Sequence, residues 1–446
     1  MSDGKKKKKA INNLQTVRPL RDAMSKAYGT GLEAAKAGKP VAWSMLTWWQ
    51  IEPILMAMDI EIVYPENYGT VCAASGNAQA YLDRASEEGF PDHMCGYARN
   101  CIGYTARMKE LGEIPPEAPM GGMPKPWLLI CGAMHCDARL KWFQSLGRYL
   151  DAPVWTVEIP TPGVEESQIP GVREKAIDFM VKGLREFIVF LERLIGRKMD
   201  WDKLEEVTND IIEFNRIWHD INLLRKARPC PMHSRDFWSS LGGSLFCAGD
   251  PKETVKLYQD MYDEVKQRVD DKIGAVADEK YRMLFSEIPP WHALKLFDEL
   301  AERGWNFVHE SWSYHPPKPL DYSKISDPLE RIATQTYQYL TGYFESALKE
   351  KEYLGYLLYP YVEWTKSYQC DGALFHSPVS CHAAANHLVF LQNRLLSKLN
   401  VPSLLVQGDM VDYQLFDYAD TMQKAEVFEE MMDHYKKVRQ EQGLEW

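Results

Sequence analysis

The sequence has no apolar run of the roughly 20 residues that a membrane-spanning helix needs, and its N-terminal stretch lacks the apolar core of a signal peptide. We therefore expect a cytoplasmic protein with no membrane partner. Positive charge is also scarce: the formal net charge is -11, and the one strongly basic run, at residues 5–9, precedes the first periodic pattern. That run is typical of a solvated tail, with a nucleic-acid arm as the alternative, and we expect no nucleic-acid partner.

Several short motifs are missing as well. There is no CxxC pair, which argues against a zinc finger or ribbon. There is no Walker lysine loop and no GxGxxG after a strand, so we expect no ATP or dinucleotide to bind by those routes. Nine cysteines are present, and without an export signal they are not expected to form disulfides. Core packing, nucleophilic chemistry and metal binding remain as their possible roles.

The most informative feature that is present is an arrangement that occurs twice. Short apolar runs bounded by Gly, Pro or Asn alternate with helix-like segments in both the N-terminal and the C-terminal part of the chain. Runs that are apolar throughout, rather than alternating, indicate buried parallel strands. We therefore predict two small α/β domains of four strands each, with the strands in residues 41–46, 61–66, 127–132, 153–160, 282–290, 305–312, 371–378 and 402–409.

Between these two parts, residues 171–275 have helical periodicity throughout, and Asp250 has the position of a helix N-cap, with Pro251 after it. The predicted fold class is α/β, with two Rossmann- or flavodoxin-like parallel-sheet domains joined by a helical segment. The predicted boundaries are a tail and helix at 1–35, a first α/β domain at 36–165, the helical segment at 166–277 and a second α/β domain at 278–446.

Three cysteines have positions that favour a shared site. In parallel α/β sheets ligands collect beyond the carboxyl ends of the strands. Cys136 and Cys381 follow the third predicted strand of their respective domains, and Cys95 lies in the insertion before the third strand of the first domain. Cys101 follows Cys95 by six residues; in a helix it would be turned by about 240° and displaced by roughly 9 Å. We therefore expect only one of these two to be a ligand.

The remaining cysteines have weaker claims. The pair Cys230 and His233 has a spacing that a metal could use, but no second pair accompanies it. Cys72 and Cys131 are expected in the core, where free cysteine is common. Cys247 and Cys370 have no partner at metal-ligand spacing.

Several stretches together resemble one protein family. They are HMCGYARNCIG at 93–103, the CD pair at 136–137, the segment DGALFHSPVSCHAAANHLVFLQNRLLSKLNVPSLLVQGDMVD at 371–412, and TWWQIEPILMAMDIEIVYPEN at 47–67. These resemble the benzoyl-CoA reductase and 2-hydroxyacyl-CoA dehydratase family, and the resemblance extends from about residue 40 to the C-terminus. Within the family, the length and the CGYARNCIG wording are most similar to the larger cluster-bearing subunit of ATP-dependent benzoyl-CoA reductase.

The resemblance implies a cofactor and its ligands. The family's [4Fe-4S] cluster ligands fall on Cys95, Cys136 and Cys381, the three cysteines that strand position also favours, and the cluster would lie in the cleft between the two domains. Three thiolates leave one iron open. Glu52 matches the glutamate of the family's N-terminal turn and could be a proton donor or base; the alternative is an exposed glutamate at a helix N-terminus.

Other side chains near the expected site have open roles. Trp43, Trp48 and Trp49 could wall a dry cleft or simply pack in the core. His376 and His382 could donate hydrogen bonds to cluster sulfur, although a histidine at a strand end is more often paired with backbone groups.

The resemblance also implies an activity and partners. The expected reaction is ATP-dependent reduction of benzoyl-CoA, or a related aromatic acyl-CoA, to a cyclohexadiene carboxyl-CoA with electrons from reduced ferredoxin. The implied assembly is a heterotetramer in which a smaller paralogous cluster-bearing subunit and two ATP-binding activator subunits join this chain, with ATP and Mg on the activators. Two alternatives remain: a subunit of a 2-hydroxyacyl-CoA dehydratase, and a non-catalytic partner subunit.

Overall fold

A computed structural model describes most of the chain, namely residues 10–45, 50–132, 136–245, 250–286, 288–311, 320–349 and 359–444. Within these ranges, every helix is too short or too polar to cross a membrane. The lysine run at 5–9, Trp48, Trp49 and Cys247 lie outside the described residues.

The first sheet has four parallel strands in the order β2-β1-β3-β4. Apolar side chains fill its central strands, because both faces of a parallel sheet are covered. We call the region from β1 to β4 the first half of the molecule. The strands are β1 (Val41–Ser44), β2 (Glu61–Val63), β3 (Leu128–Gly132) and β4 (Val154–Val157).

The second sheet repeats this topology, with four parallel strands in the order β6-β5-β7-β8. Counted from the first strand of each sheet, the order is the same in both, which is a flavodoxin-like arrangement. The second half runs from β5 to the C-terminal helix. Its strands are β5 (Tyr281–Ser286), β6 (Trp305–Glu310), β7 (Gly372–Pro378) and β8 (Ser403–Gly408).

Each of the eight predicted runs coincides with one of these strands, although β5 begins one residue before its run, so the prediction of two four-stranded parallel sheets is confirmed. The observed strands are mostly shorter than the predicted runs, since the polar residues that follow several strands belong to loops or to the next helix. Domain boundaries at 36–165 and 278–446 remain a prediction.

Helices separate the strands of the first half, and three of them stand between β2 and β3. A further helix, α1, precedes β1 within the predicted N-terminal tail and helix. These helices are α1 (Val17–Lys36), α2 (Glu52–Ala57), α3 (Pro65–Ala74), α4 (Ala78–Glu87), α5 (Gly96–Leu111) and α6 (Asp137–Leu150).

The middle of the chain is helical, as its periodicity predicted. Asp250 caps the last of these helices, since its carboxylate accepts the backbone N–H of Lys252 at 2.9 Å, and Asp200 caps the second in the same way. The helices are α7 (Val172–Ile195), α8 (Trp201–Leu224), α9 (Ser234–Leu245) and α10 (Pro251–Asp270).

The second half has shorter helices beside its sheet and a long one at the C-terminus. They are α11 (Lys295–Glu302), α12 (Pro328–Thr341), α13 (Phe344–Lys349), α14 (Tyr359–Ser367), α15 (His382–Ala385), α16 (Leu388–Leu399) and α17 (Tyr418–Glu441).

One apolar core joins the two halves. The largest buried cluster includes Leu129 from β3, Tyr97 from α5, and Trp291 and Met410 from the second half. Helix α5 is central to this contact, because it is almost completely buried along its first three turns. The halves therefore meet at the edge where their strands end, which is the edge that carries the candidate site.

Candidate metal centre

Three thiols stand at the start of three helices. Cys95, Cys136 and Cys381 are the N-cap residues of α5, α6 and α15. Cys136 follows β3 and Cys381 follows β7, so each lies past the third strand of its own sheet, as the sequence predicted. An N-cap residue leaves the helical conformation, and its side chain points towards the free N–H groups of the first turn. The fold thus directs all three thiols out of helix starts.

The three thiols lie close enough for their charges to interact. Burial raises the pKa of Cys95, and the thiolates of Cys381 and Cys136 raise that pKa further. Burial also raises the pKa of Cys136, although the nearby guanidinium of Arg139 opposes the shift. Thiolates are therefore costly here without a compensating positive charge. A bound metal would provide that charge, since metal ligation replaces the thiol proton.

Exposure separates these three cysteines from the others that the structure describes. Cys95, Cys136 and Cys381 are partly exposed, whereas the other described cysteines are buried. Cys101 is fully buried and interacts with the side chains of Trp142 and Thr105, and burial raises its pKa to about 12. Cys72 and Cys131 are buried in the same apolar core as Cys101, as predicted. Exposure thus agrees with the choice of Cys95 over Cys101.

The Cys230 and His233 pair does not form a joint site. The thiol of Cys230 donates to the carbonyl of Met232 at 3.2 Å, and His233 Nδ1 accepts the backbone N–H of Arg235 at 2.9 Å. The thiol of Cys230 and Nδ1 of His233 are each used in a local turn of the chain. The spacing that suggested a metal pair is explained by these turns.

An ion pair stands beside the thiols. Arg139, on the first turn of α6, donates to Glu66 Oε2 at 2.6 Å, and its side chain is only 10% exposed. Burial lowers the pKa of Arg139, but Glu66 and the thiolates of Cys136 and Cys95 more than offset this effect, so the guanidinium stays charged. Glu66 in turn raises the pKa of both thiols. The thiols therefore face one fixed cation and one carboxylate.

Glu52 has a different setting from Glu66. It is the first residue of α2 and is fully buried, so it is not the exposed helix-terminal glutamate that the sequence offered as an alternative. Its carboxylate accepts the backbone N–H of Ile51 at 3.3 Å. Its role as proton donor or base remains a prediction. The carboxylate that acts on the thiols is Glu66, in the PEN segment, which the sequence analysis passed over.

Trp43 belongs to the core. It is fully buried in β1, and its indole N–H donates to the carbonyl of Pro124 at 2.9 Å. Of the two roles that the sequence left open for Trp43, wall of a dry cleft or core residue, the core role therefore applies.

The two histidines near Cys381 differ from each other. His376 is buried in β7, and its Nδ1 lies 2.5 Å from the carbonyl oxygen of Ile288. Burial lowers the pKa of His376 to about 4, so its imidazole is neutral near pH 7. His376 is thus paired with backbone, as expected for a strand end. His382, the first residue of α15, is exposed.

Three cysteine thiols are the kind of donor set that iron-sulfur clusters use. Within the part of the chain that the structure describes, no group of three His, Cys, Asp or Glu side chains is placed to hold one metal ion. In a cubane cluster each thiolate binds a different iron, so the ligands stand further apart than around one ion. Cys95, Cys136 and Cys381 are the residues that would hold such a cluster.

A polar contact near the thiols was not predicted. The backbone N–H of Gly96 donates to the hydroxyl of Ser380 at 2.9 Å, and that hydroxyl donates to Asp409. Ser380 precedes Cys381, and Gly96 follows Cys95. The only sequence signal was the position of Asp409 directly after a strand, since Ser380 and Gly96 are 284 residues apart in the chain.

Comparisons with known proteins give the family. The family model described as 2-hydroxyglutaryl-CoA dehydratase, D-component, matches residues 49–432. The chain is 25% identical to the (R)-2-hydroxyisocaproyl-CoA dehydratase alpha subunit of Clostridioides difficile, over 94% of this chain and 96% of that protein. It is 26% identical to the (R)-phenyllactyl-CoA dehydratase alpha subunit of Clostridium sporogenes, over 97% and 98%.

A subunit of a benzoyl-CoA reductase is also similar. This subunit, from the benzoyl-CoA reductase of Thauera aromatica, is 24% identical over 86% of this chain and 87% of its own length. The two dehydratase subunits match at slightly higher identity and over more of the chain. The comparisons therefore favour the dehydratase alternative over the reductase that the sequence analysis placed first.

Proposed function

Because the chain belongs to the 2-hydroxyglutaryl-CoA dehydratase D-component family, we propose that it is the cluster-bearing alpha-type subunit of a dehydratase that removes water from an (R)-2-hydroxyacyl-CoA. The names of the similar dehydratase subunits support the reaction and the substrate class. The dehydratase thus replaces benzoyl-CoA reduction as the first candidate, and the reductase becomes the second.

One observation supports this proposal: Cys95, Cys136 and Cys381 stand at the starts of three helices from both halves, and the charges of Cys381 and Cys136 act on the thiol of Cys95. In the proposal, Cys95, Cys136 and Cys381 hold a [4Fe-4S] cluster. When bound, the cluster would supply a site for one-electron chemistry with one iron free of protein thiolate.

The side chains around the thiols have roles that follow from their contacts. Arg139 places a fixed positive charge beside the thiolates, which favours their ionised form. Tyr97 and Trp291 are buried and joined by a hydrogen bond from the indole N–H to the phenol oxygen. This pair closes the seam between the halves next to Cys95 and excludes water there.

The proposal includes partners. The similar proteins are named as subunits, and we propose at least one further subunit of the same enzyme. We also propose an ATP-hydrolysing activator that passes electrons from reduced ferredoxin. These would bring ATP and Mg to the complex on chains other than this one.

The second candidate is the ATP-dependent reductase of benzoyl-CoA or a related aromatic acyl-CoA, which the similarity to a benzoyl-CoA reductase subunit favours. The two reactions differ in how the electron is used. A dehydratase returns its electron after each turnover, whereas ring reduction consumes electrons and ATP stoichiometrically.

An anaerobic assay of the chain with its partner subunits, activator, ATP and a low-potential donor separates the two. We expect an (R)-2-hydroxyacyl-CoA to lose water over many turnovers per electron supplied. Loss of the aromatic chromophore of benzoyl-CoA, with ATP hydrolysed in proportion, would instead establish the reductase.

The same assay tests the alternative that this chain is a non-catalytic partner subunit. Cys136→Ala should abolish activity, while Cys131→Ala, a change in the buried strand just before it, should retain activity. Full activity of the Cys136 variant would overturn the proposed role of this chain.

A further inference from the structure

The first turn of α5 makes polar contacts with both halves of the molecule. Tyr97 receives the indole N–H of Trp291, and Arg99 lies 3.8 Å from the carboxylate of Asp412 while it also pairs with Asp92 at 2.7 Å. Gly96 donates to Ser380. Since Cys95 immediately precedes this turn, its position depends on contacts with the second half.

Gly96 allows the two halves to approach very closely. A side chain at this position would place its first carbon 2.7 Å from Asp409 Oδ1 and 3.1 Å from Val411 Cβ. Real Cβ atoms do not come so near, and both neighbours are buried and fixed. The absence of a side chain at 96 is therefore what lets the backbone of α5 reach Ser380.

Asp409 is held in one orientation. Its Oδ1 accepts the backbone N–H of Val411 at 2.9 Å and that of Asp412 at 3.0 Å, and its Oδ2 accepts the hydroxyl of Ser380. Asp409 is fully buried and directly follows β8. In this last hydrogen bond the hydroxyl of Ser380 is the donor and the carboxylate is the acceptor.

This direction determines what Ser380 can do for α5. With its proton committed to Asp409, the oxygen of Ser380 presents lone pairs to the N–H of Gly96. That N–H is one of the first-turn donors that no helix can satisfy internally. The chain Asp409, Ser380, Gly96 therefore connects the end of β8 to the start of α5 by directed hydrogen bonds.

We propose that Asp409 and Ser380 are positioning residues that set the spacing between the thiols of Cys95 and Cys381. Ser380 immediately precedes Cys381 in the sequence, and Gly96 immediately follows Cys95. The helix that Cys381 caps is only four residues long, so hydrogen bonds from its neighbours must orient this thiol. The inference rests on the proposed function, because it assigns the two residues to the same cluster.

The test uses two single variants and matched controls. Ser380→Ala removes the relay, and Asp409→Asn keeps the shape of the side chain while it replaces one acceptor by a donor. Ser377→Ala makes the same change on β7, at a position outside the hydrogen-bonded chain from Asp409 to Gly96. Asp417→Asn keeps a good N-cap at the start of α17.

The first measurement is the rate at which an iron chelator removes the cluster from the anaerobic protein, with the EPR spectrum of the reduced cluster beside it. We expect each of the two variants to lose iron roughly tenfold faster, as for loss of a hydrogen bond to a charged group. We also expect a changed line shape, which reduced fold stability alone would not produce. The controls should match the wild type in both.

The second measurement works without iron. A short bifunctional thiol reagent, followed by peptide mapping, reports how readily Cys95 and Cys381 are joined in the metal-free chain. We expect both variants to lower the yield of this cross-link severalfold relative to Ser377→Ala and Asp417→Asn.

The double variant completes the test. If the two residues act as one relay, Ser380→Ala with Asp409→Asn should lose no more than the worse single variant. Additive losses, or unchanged spectra and cross-linking in the single variants, would overturn the inference. A wild-type chain that binds no iron would overturn the proposed function instead, so the two failures are distinguishable.

Discussion

In the first half of the molecule two cysteines cap helices of 16 and 14 residues, whereas in the second half Cys381 caps a helix of four. The two halves share one strand order and each has a cysteine after its third strand. They differ in the polar groups around those cysteines. Asp409, Ser380 and His376 are buried in the second half.

This difference suggests a division of roles. The first half supplies two of the three thiols, on helices long enough to be stable elements. The second half supplies one thiol together with the hydrogen bonds that connect the halves. In the proposal, the first half supplies two ligands and the Arg139–Glu66 ion pair, and the second half supplies one ligand and the hydrogen bonds from Asp409 through Ser380 to Gly96. The following predictions test that division, beginning with the largest effect.

The largest predicted effect concerns the need for the second half in metal binding. If the cluster binds without its thiol, the division of roles between the halves is wrong. We expect Cys381→Ala to abolish the cluster, although both thiols of the first half remain. Cys370→Ala, at a fully buried position before β7, should leave the iron content unchanged. Its only expected effect is a lower stability of the fold from the lost packing. Iron analysis of the anaerobic proteins checks this, and a Cys381 variant with wild-type iron would contradict it.

The attachment of the helical segment also differs between the halves. It packs on the first half through apolar side chains such as Phe187 and Leu191. It also packs on the second half through apolar side chains such as Met180, and there Arg225 adds two hydrogen bonds of 2.8 and 2.7 Å to Glu310, with both side chains fully buried.

We expect Arg225→Met to lower the free energy of unfolding by about 3–5 kcal/mol, because Glu310 would be left as an unpaired buried charge. The control is Arg216→Met on the same helix. Arg216 pairs with Glu213 and Asp220 at the surface, where such pairs contribute about 0–1 kcal/mol. Urea unfolding measures both, and equal losses would contradict the account.

Close approach of the halves at Gly96 gives the next prediction. Gly96→Ala should cost up to about 3 kcal/mol, the usual range for overpacking, because its Cβ would meet Asp409 and Val411. Gly183→Ala is the control: it lies in α7 with open space around it, and should stabilise by roughly 0.5–1 kcal/mol. Thermal unfolding distinguishes these opposite signs.

Acidification should act on the second half through His376. Its folded pKa of about 4 lies below the ordinary 6.5, so the unfolded chain takes up the proton first. The contribution of neutral His376 is complete above pH 6.5 and is lost as the pH falls towards 4. Between pH 8 and pH 5 we expect a loss of about 2 kcal/mol.

Hydrogen exchange resolved by peptide measures this loss in each half separately. In the first half, the described histidine is His93, which is exposed, so its strands should be less sensitive to pH. His376→Gln should remove most of the pH dependence of β7. Equal sensitivity in the variant and the wild type would contradict the assignment.

Local sequence was enough to predict the strands and the positions of Cys136 and Cys381 past the third strand of each sheet. Strands such as β3 and β7 are short apolar runs that end at Gly or Pro, so their position and parallel character follow from composition. Cys136 and Cys381 lie a few residues past strands of this kind. Helical geometry indicated that Cys95 and Cys101 would not both bind one centre, and the family resemblance then favoured Cys95.

The rest of the site depends on contacts between distant parts of the chain. Nothing near Ser380 in sequence indicates that its hydroxyl accepts from Gly96, 284 residues away. Arg139 and Glu66 are likewise 73 residues apart. The sequence therefore pointed to Glu52, which matches a family pattern, rather than to Glu66, whose proximity to the thiols only the fold reveals.

The central claim is that thiols from both halves hold one iron-sulfur cluster. Its most direct test is iron and acid-labile sulfide analysis of the anaerobically purified chain, co-expressed with its partners, together with Mössbauer spectroscopy. We predict equal amounts of iron and sulfide in the proportion of a [4Fe-4S] cluster, with one iron distinct from the other three. A chain that holds no iron or sulfide under these conditions would contradict the account.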